Sequence, residues 1–409
     1  MGRTVFRGGV VFDGSGSAPA DADVVIDDGR IVEVGPGLDG DDGIDCAGKA
    51  LLPGLFDCHV HLASRHEDFD EYARMQEPFS LAFHRMAQSL RTTIALGITT
   101  VRDASGADAG LRAAVDEGTL IGPRMQISVT MLSMTGGHND PWLPSGPAGL
   151  GFGSVEYPGM PSGICDGVDG VSAKVREMIR AGADVIKIAS SGGFLSPADD
   201  PMEPNYSQAE VDAIVRTAAD LGTWVMSHAH GPEGIKRAVR AGVRSIDHGT
   251  FLDAEAVEMM LERGTWLVPT LTSGDTTEAL ANDERVQPAV REKLRGLGRP
   301  EFDAMQLAAH AGIKVAMGTD CPVAPHGTNL NELRHMSEHG FTPTQALHAA
   351  TLCAAELMGL ESELGTLEPG KRADLVVLDG DPLVFDDYET RIEQVWKDGA
   401  RVVPFVAAS

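Results

Sequence analysis

The pair His59 and His61 is the first feature of this sequence that could do chemistry. It closes the apolar run LLPGLFDCHVHL at residues 51–62. Alternate side chains of an extended strand point to the same face, so both imidazoles project the same way. Imidazole nitrogens bind transition metals, and two of them do not complete a coordination sphere. The pair therefore predicts a metal site whose remaining ligands come from elsewhere in the chain.

Other ionisable residues stand at or just past the ends of further strand-like runs. Lys, His and Asp are rarely buried without a partner, so their presence at many corresponding positions is hard to attribute to packing. A structural role stays open for single members, because Asp320 could be a turn aspartate and Lys187 could neutralise nearby acids. The set comprises His59, His61, Asp103, His138, Lys187, His228, His248 and Asp320.

The segments that must position these residues alternate between helix and strand. Several amphipathic stretches end in a glycine that a strand-like run follows, which is typical of a left-handed helix cap. These glycines are Gly97, Gly182, Gly222, Gly242, Gly264 and Gly312. Ser207 and Glu210 have the spacing of a capping box and predict the start of another helix.

Eight strands are predicted in this middle part of the chain. Eight strands alternating with helices over about 300 residues favour an α/β fold of the (β/α)8 TIM barrel type, whose active site lies at the carboxyl ends of the strands. The predicted strands are residues 55–60, 98–101, 125–129, 185–188, 224–226, 244–246, 266–268 and 314–317.

Both ends of the chain have the pattern of short β strands. Asp28-Gly29 and Asp398-Gly399 are turn signals between runs of strand-forming residues. Chain termini often lie close together, so the two ends are predicted to form one small β-sandwich domain. The predicted domains are this composite β-sandwich at residues 1–54 and 360–409, and the hydrolase barrel at residues 55–359.

The charge of the chain restricts its partners. It contains 33 Lys and Arg against 60 Asp and Glu, with a formal net charge of −27, which repels phosphate backbones and anionic lipids. Neither nucleic acid nor a membrane is therefore expected, and no run approaches the roughly 20 apolar residues of a membrane span. Five cysteines without a C-x-x-C pair and the lack of a leader pattern favour a cytoplasmic location.

Taken together, these residues resemble the amidohydrolase superfamily of metal-dependent hydrolases. The resemblance includes the segment GTLEPGKRADLVVL at residues 365–378. Within the superfamily the chain looks most like the branch of the Xaa-Pro dipeptidases (prolidases), aminoacyl dipeptidases and ochratoxin-type carboxypeptidases, which is related to imidazolonepropionase. The motifs shared with that branch are TGGH at 135–138, NYS at 205–207, HAHG at 228–231 and HG at 326–327.

This resemblance implies a binuclear centre of two divalent metal ions of the zinc type. A carboxylated Lys187 would bridge the ions, and a hydroxide between them would attack the scissile carbonyl. Asp320 would take the proton of that hydroxide and pass it to the leaving amine. The implied ligands are His59, His61 and Asp320 for the first ion and His228 and His248 for the second.

Substrate contacts are implied for further residues. His138 and Tyr206 are placed to contact a substrate carbonyl or carboxylate, and either could stabilise a developing oxyanion; for Tyr206, packing on its helix is the alternative. His230 and His326 either contact substrate or support the ligands. Arg102 either contacts substrate or forms an internal ion pair. The histidines expected on the surface or in the core are His66, His84, His310, His335, His339 and His348.

The sequence thus predicts a metal-dependent hydrolase that cleaves the C–N amide bond of a small molecule, most simply an Xaa-Pro dipeptide or an N-acyl amino acid. A non-peptide amide, a urea, a carbamate or a lactone stays open as substrate, and so does a non-catalytic scaffold. By resemblance, Lys187 argues against the single-metal deaminases, and the chain is expected to form homo-oligomers. The loop at 139–166, rich in Gly and Pro, is predicted to wall the pocket.

Overall fold

The computed structural model describes residues 2–64, 77–142, 157–196, 199–297 and 299–405. The chain begins with five strands around a β hairpin. The predicted turn at Asp28-Gly29 is confirmed, with φ of 46° and 75° at its two residues. The strands are β1 (Thr4–Val11), β2 (Ala20–Asp27), β3 (Arg30–Gly35), β4 (Asp42–Asp45) and β5 (Lys49–Pro53).

Among the residues that the structure describes, seven parallel strands follow in two sheets. Nearly every residue in them is buried, which is typical of parallel strands covered by helices. The three-stranded sheet consists of β6 (Leu55–Val60), β7 (Ile98–Asp103) and β8 (Arg124–Ile127). The four-stranded sheet consists of β9 (Ile186–Ala189), β10 (Val225–Ala229), β11 (Ser245–His248) and β12 (Trp266–Val268).

Single parallel bridges connect these sheets. Leu132, after β8, pairs with Ile188 of β9, and Val60 of β6 pairs with Cys321. The predicted eighth strand at 314–317 has a single bridge to β12, at Val315, and backbone hydrogen bonds to Leu267 of β12 and Cys58 of β6. The backbone leaves the extended conformation soon afterwards, with φ of 56° at Asp320. Seven of the eight predicted barrel strands are thus present, and the eighth position is filled by isolated pairings.

Twelve α helices lie among the described residues. All six predicted glycine caps have positive φ, between 67° and 103°. The capping box of Ser207 and Glu210 is also confirmed. The helices are α1 (Leu81–Ala95), α2 (Ala109–Asp116), α3 (Gly167–Arg180), α4 (Gln208–Asp220), α5 (Pro232–Ala241), α6 (Ala254–Arg263), α7 (Thr277–Asn282), α8 (Pro288–Gly296), α9 (Arg299–Ala311), α10 (Asn331–Glu338), α11 (Pro343–Ala349) and α12 (Leu352–Met358). In the described part of the chain, none of these helices has both the length and the apolarity needed to cross a membrane.

The C-terminal strands return to the N-terminal ones. They are β13 (Leu375–Asp379), β14 (Ile392–Lys397) and β15 (Ala400–Val403), and β13 pairs antiparallel with β5. All eight strands of the two ends form one sheet in the order β15-β14-β13-β5-β1-β2-β3, with β4 beside β1. Apolar residues of both ends, including Phe6, Leu51 and Leu375, share one core. The two ends therefore meet as expected, while the boundaries at residues 54 and 360 stay predictions.

Candidate metal centre

In the described part of the chain, two groups of metal-ligating side chains lie at the carboxyl ends of the parallel strands. Within each group, one ligand atom from every residue lies within 4.8 Å of the others. The rings of His59 and His248 connect the groups, with centroids 4.9 Å apart. The first group is His59, His61 and Asp320, and the second group is His228, His230 and His248. The structure therefore brings together five of the six predicted ligands in these groups.

The hydrogen bonds of the first group determine which ring nitrogens could bind a metal. Nδ1 of His61 lies 3.0 Å from the carbonyl oxygen of Ser105, which can only accept, so Nδ1 carries the proton. Its Nε2 lies 3.1 Å from Oδ1 of Asp320, and although burial acts to lower the pKa of His61, this carboxylate raises it. A ring nitrogen this close to a carboxylate oxygen needs a positive charge between the two atoms, which either a ring proton or a bound metal ion supplies. The first group therefore fits a metal ion.

His59 has the same arrangement with a carboxylate behind its ring. Its Nδ1 lies 2.9 Å from Oδ2 of Asp247, and its Nε2 lies 3.3 Å from Oδ1 of Asp320. The Nε2 atoms of two histidines thus converge on one carboxylate oxygen. Burial acts to raise the pKa of Asp320, but the two imidazoles hold that pKa well below its usual value, so Asp320 is an anion.

The second group is built from neutral partners. Nε2 of His228 lies 3.2 Å from the carbonyl oxygen of Gly192 and so carries the proton, which leaves Nδ1 as the ligand atom. Nδ1 of His248 lies 2.7 Å from the hydroxyl of Thr270. That hydroxyl donates to the carbonyl of Pro269 at 2.6 Å, so it accepts from His248 and leaves Nε2 bare. Burial lowers the pKa of both histidines well below its usual value, which keeps them neutral as metal ligands require.

His230 lies beside these ligands. Its ring stacks on that of His248 with centroids 4.8 Å apart, and its Nδ1 lies 2.8 Å from the hydroxyl of Thr250. Burial lowers its pKa to about 3. The structure therefore places His230 within the second group, where its neutral ring is able to bind a metal or to contact a substrate.

Lys187 lies beneath both groups and is 1% exposed. Its Nζ lies 3.0 Å from Oδ2 of Asp247, and burial lowers its pKa. Sequence reasoning missed Asp247, which faces His59, Lys187 and Arg102 at once. The available signal was a carboxylate in the fully buried strand β11, directly before a predicted ligand. Asp247 supplies the negative charge under the site.

Arg102 supports the site from below. It is fully buried, and its guanidinium donates to Asp247 at 3.1 Å, to the hydroxyl of Ser245 at 3.0 Å and to the carbonyl of Cys58 at 2.5 Å. The substrate contact predicted for Arg102 is therefore corrected to the internal ion pair, with Asp247 as partner. Asp103 accepts three backbone N–H bonds from the loops after β6 and β7.

His138, the predicted substrate contact, lies against the second group. Its ring stacks on that of His228 with centroids 4.1 Å apart. Nδ1 of His138 lies 2.8 Å from the hydroxyl of Ser196 and 3.4 Å from Oδ2 of Asp199. A Cβ at Gly193 would lie 2.0 Å from this ring, so only glycine fits there. Asp199, which the sequence pattern did not single out, orients His138.

Tyr206 has a different environment from the one expected of a substrate contact. It is 2% exposed and packs in the main core, and its hydroxyl lies 3.2 Å from Sγ of Cys165. The packing alternative describes its position. His326 is partly buried in the loop before α10. Part of the predicted wall loop, residues 143–156, lies outside the described residues, as does His66.

Comparisons with known proteins agree with the sequence motifs. The sequence model of the amidohydrolase family matches residues 50–408. A solved structure of a Xaa-Pro dipeptidase with methionine in its active site is 35% identical, covers 98% of this chain and 99% of its own, and has a TM-score of 0.88. Ochratoxinase of Aspergillus niger is 33% identical over 97% of this chain and 86% of its own. An imidazolonepropionase of Micrococcus luteus is 26% identical over 96% of each chain.

Proposed function

The chain belongs to the amidohydrolase family, and on that premise we propose that it cleaves the amide bond of an Xaa-Pro dipeptide or an N-acyl amino acid. The observation that carries this proposal is the convergence of two histidine Nε2 atoms on Oδ1 of Asp320. The similarity to a Xaa-Pro dipeptidase over nearly the whole chain supports the choice of substrate. The same relatives support a (β/α)8 barrel with a β-sandwich as the complete fold.

Two divalent ions fit the donor set. The ligand atoms are imidazole nitrogens and an oxygen of the Asp320 carboxylate, a combination that suits zinc. When bound, such ions acidify water and polarise a carbonyl group. We place the first ion on His59, His61 and Asp320 and the second on His228 and His248, with Lys187 between them.

Lys187 is suited to carboxylation. An amine reacts with carbon dioxide only as the neutral base, and burial lowers the pKa of Lys187 toward that state. The bond formed joins Nζ to the carbon of carbon dioxide, and the amine proton is released. The product carries anionic oxygens, which bind metals where an ammonium group does not.

Asp320 and His138 are the side chains that act on the substrate. The Asp320 carboxylate takes the proton of the attacking water and delivers it to the nitrogen that leaves as the free amine. His138, held by Ser196 and Asp199, donates to the carbonyl oxygen as negative charge develops there. Stacking on His228 keeps this ring beside the second group.

A substrate screen tests the proposal. Metal-replete protein is incubated with dipeptides, N-acyl amino acids and the matching amides without a carboxylate, and the released amine is measured. We expect hydrolysis of an Xaa-Pro dipeptide or an N-acyl amino acid, and loss of that activity after treatment with a chelator. Activity on carboxylate-free amides alone would contradict the substrate class, and activity that survives the chelator would contradict the metal-dependent mechanism.

A further inference from the structure

A third group of metal-ligating side chains lies away from the parallel strands, at the carboxyl end of α10. It consists of His335, Glu338 and His339, and one ligand atom from each lies within 4.8 Å of the others. Residues three and four apart share one face of a helix, so the spacing brings these side chains together. The sequence pattern assigned both histidines to the surface or the core and missed the group.

The ring of His335 is already oriented for an ion. Its Nε2 lies 2.8 Å from Oδ1 of Asp275, and since a carboxylate only accepts, Nε2 carries the proton. Nδ1 points the other way and lies 3.8 Å from Oε2 of Glu338. Carboxylates orient zinc-binding histidines in the same manner. Asp275 is itself fixed by a bond from the amide of Asn331 at 2.8 Å.

The side chains of His339 and Glu338 lie close to the positions that a shared ion requires. The ring of His339 stacks on Phe302 with centroids 3.9 Å apart, which restricts its orientation. The side chain of Glu338 is 55% exposed. Tetrahedral zinc, with ligands at about 2.0–2.2 Å, separates its ligand atoms by roughly 3.3–3.6 Å. The oxygen of Glu338 lies 3.8 Å from Nδ1 of His335, which is only slightly more than that separation.

We propose that His335, Glu338 and His339 form a separate site for a divalent cation of the zinc type, with water completing the coordination. The end of a helix where carbonyl groups are unpaired attracts cations, and so does a chain with a net charge of −27. Two imidazoles with one carboxylate form a donor set that binds zinc in preference to magnesium or calcium.

The position of this site gives it a structural role. Asp275 belongs to the 3-10 turn Leu271–Thr276, and Glu332 of α10 accepts backbone bonds from Leu271 and Thr272 of the same turn at 2.9 and 2.7 Å. That turn begins directly after Thr270, the partner of His248. An ion bound to His335 would therefore stabilise the contact between α10 and this turn, which His335 makes through Asp275. The same turn supports the second histidine group.

Zinc counting in matched variants tests the site. Wild type, Glu338→Gln, His339→Ala and His310→Ala are dialysed against the same micromolar Zn²⁺, and the bound metal is measured by mass spectrometry. His310 is the control, because it lies on α9 outside the group and bonds to its own helix. We expect wild type and His310→Ala to hold one equivalent more than the other two variants. The result is the difference in zinc content between variants, so it does not depend on how many ions bind at the ends of the parallel strands.

Glu338 is exposed, so its replacement leaves the fold intact, and the melting temperature Tm of every variant checks this. Added Zn²⁺ is expected to raise Tm by a few degrees more in wild type than in Glu338→Gln. Equal zinc content in all four proteins would overturn the proposal, and so would equal gains in Tm.

Discussion

The two histidine groups of the candidate metal centre hold the same kind of donor in different surroundings. In the first group, carboxylates face the rings, with Asp320 against two Nε2 atoms and Asp247 against Nδ1 of His59. In the second group, the rings face neutral oxygens, among them the Gly192 carbonyl and the Thr270 hydroxyl. Charge therefore orients one half of the centre, and neutral hydrogen bonds orient the other.

This difference affects what each half needs from Lys187. The first group contains the anion Asp320, whereas the second group contains only neutral imidazoles. A divalent ion in the second group therefore depends on a further anionic ligand for charge balance. The proposed carboxylation of Lys187 supplies it. We therefore expect the modification of Lys187 to matter most to the second ion.

The largest effect on catalysis is expected from a substitution in the first group, which contains Asp320. Asp320→Asn keeps an oxygen at the position of Oδ1 but removes the base, so kcat is expected to fall by about 10²–10⁴-fold while the metal content stays nearly unchanged. Steady-state kinetics and metal analysis of the same preparation measure both quantities. Unchanged turnover would remove Asp320 from the proton-transfer role.

Asp247 is expected to matter for stability. Asp247→Asn leaves the buried Arg102 without its counter-charge, which lowers the free energy of unfolding by about 3–5 kcal/mol. Denaturant unfolding measures this loss. Asp57→Asn is the matched control, because Asp57 is equally buried but bonds to the neutral side chains of Thr319 and Asn329. A loss as large in the control as in Asp247→Asn would show that charge is not the decisive difference.

Substitution of Thr270 tests the role of the neutral hydrogen bonds in the second group. Thr270→Val removes the acceptor for Nδ1 of His248 at nearly constant volume, and we expect metal affinity to fall by about 10- to 100-fold. Thr250→Val removes the corresponding partner of His230. Competition with a chelator measures the affinity of both variants. An equal loss in Thr250→Val would identify His230 as a ligand in addition to His248.

The smallest expected effect concerns the orientation of His138. Asp199→Asn weakens the carboxylate that lies 3.4 Å from its Nδ1, and kcat is expected to fall by roughly tenfold, with KM and metal content nearly constant. Lys293 also bonds to Asp199 at 3.1 Å, so Lys293→Met tests whether the loss arises from the same ion pair. A change in KM alone would assign Asp199 to substrate binding instead.

Much of the fold was predictable because its signals are local. A glycine after an amphipathic stretch requires positive φ for its own backbone, and the six predicted caps have it. The same holds for the capping box at Ser207. The apolar run at residues 314–317 did not show in advance that its pairing with β12 would be limited to one bridge at Val315, because that depends on how the strands lie side by side.

The same distinction between local signals and long-range contacts separates the site features that the sequence predicts from those that it does not. By itself, the sequence determined which residues have metal-ligating side chains and that they stand at the ends of successive strands, because both follow from residue type and from the period of each segment. Only the tertiary structure decided which ring nitrogen carries a proton, that Asp247 joins Lys187 to Arg102, and that Asp199 orients His138. Those decisions depend on contacts between residues far apart in the chain, such as Arg102 and Asp247 on β7 and β11. Local periodicity carries no information about such contacts, because they exist only when the strands lie side by side.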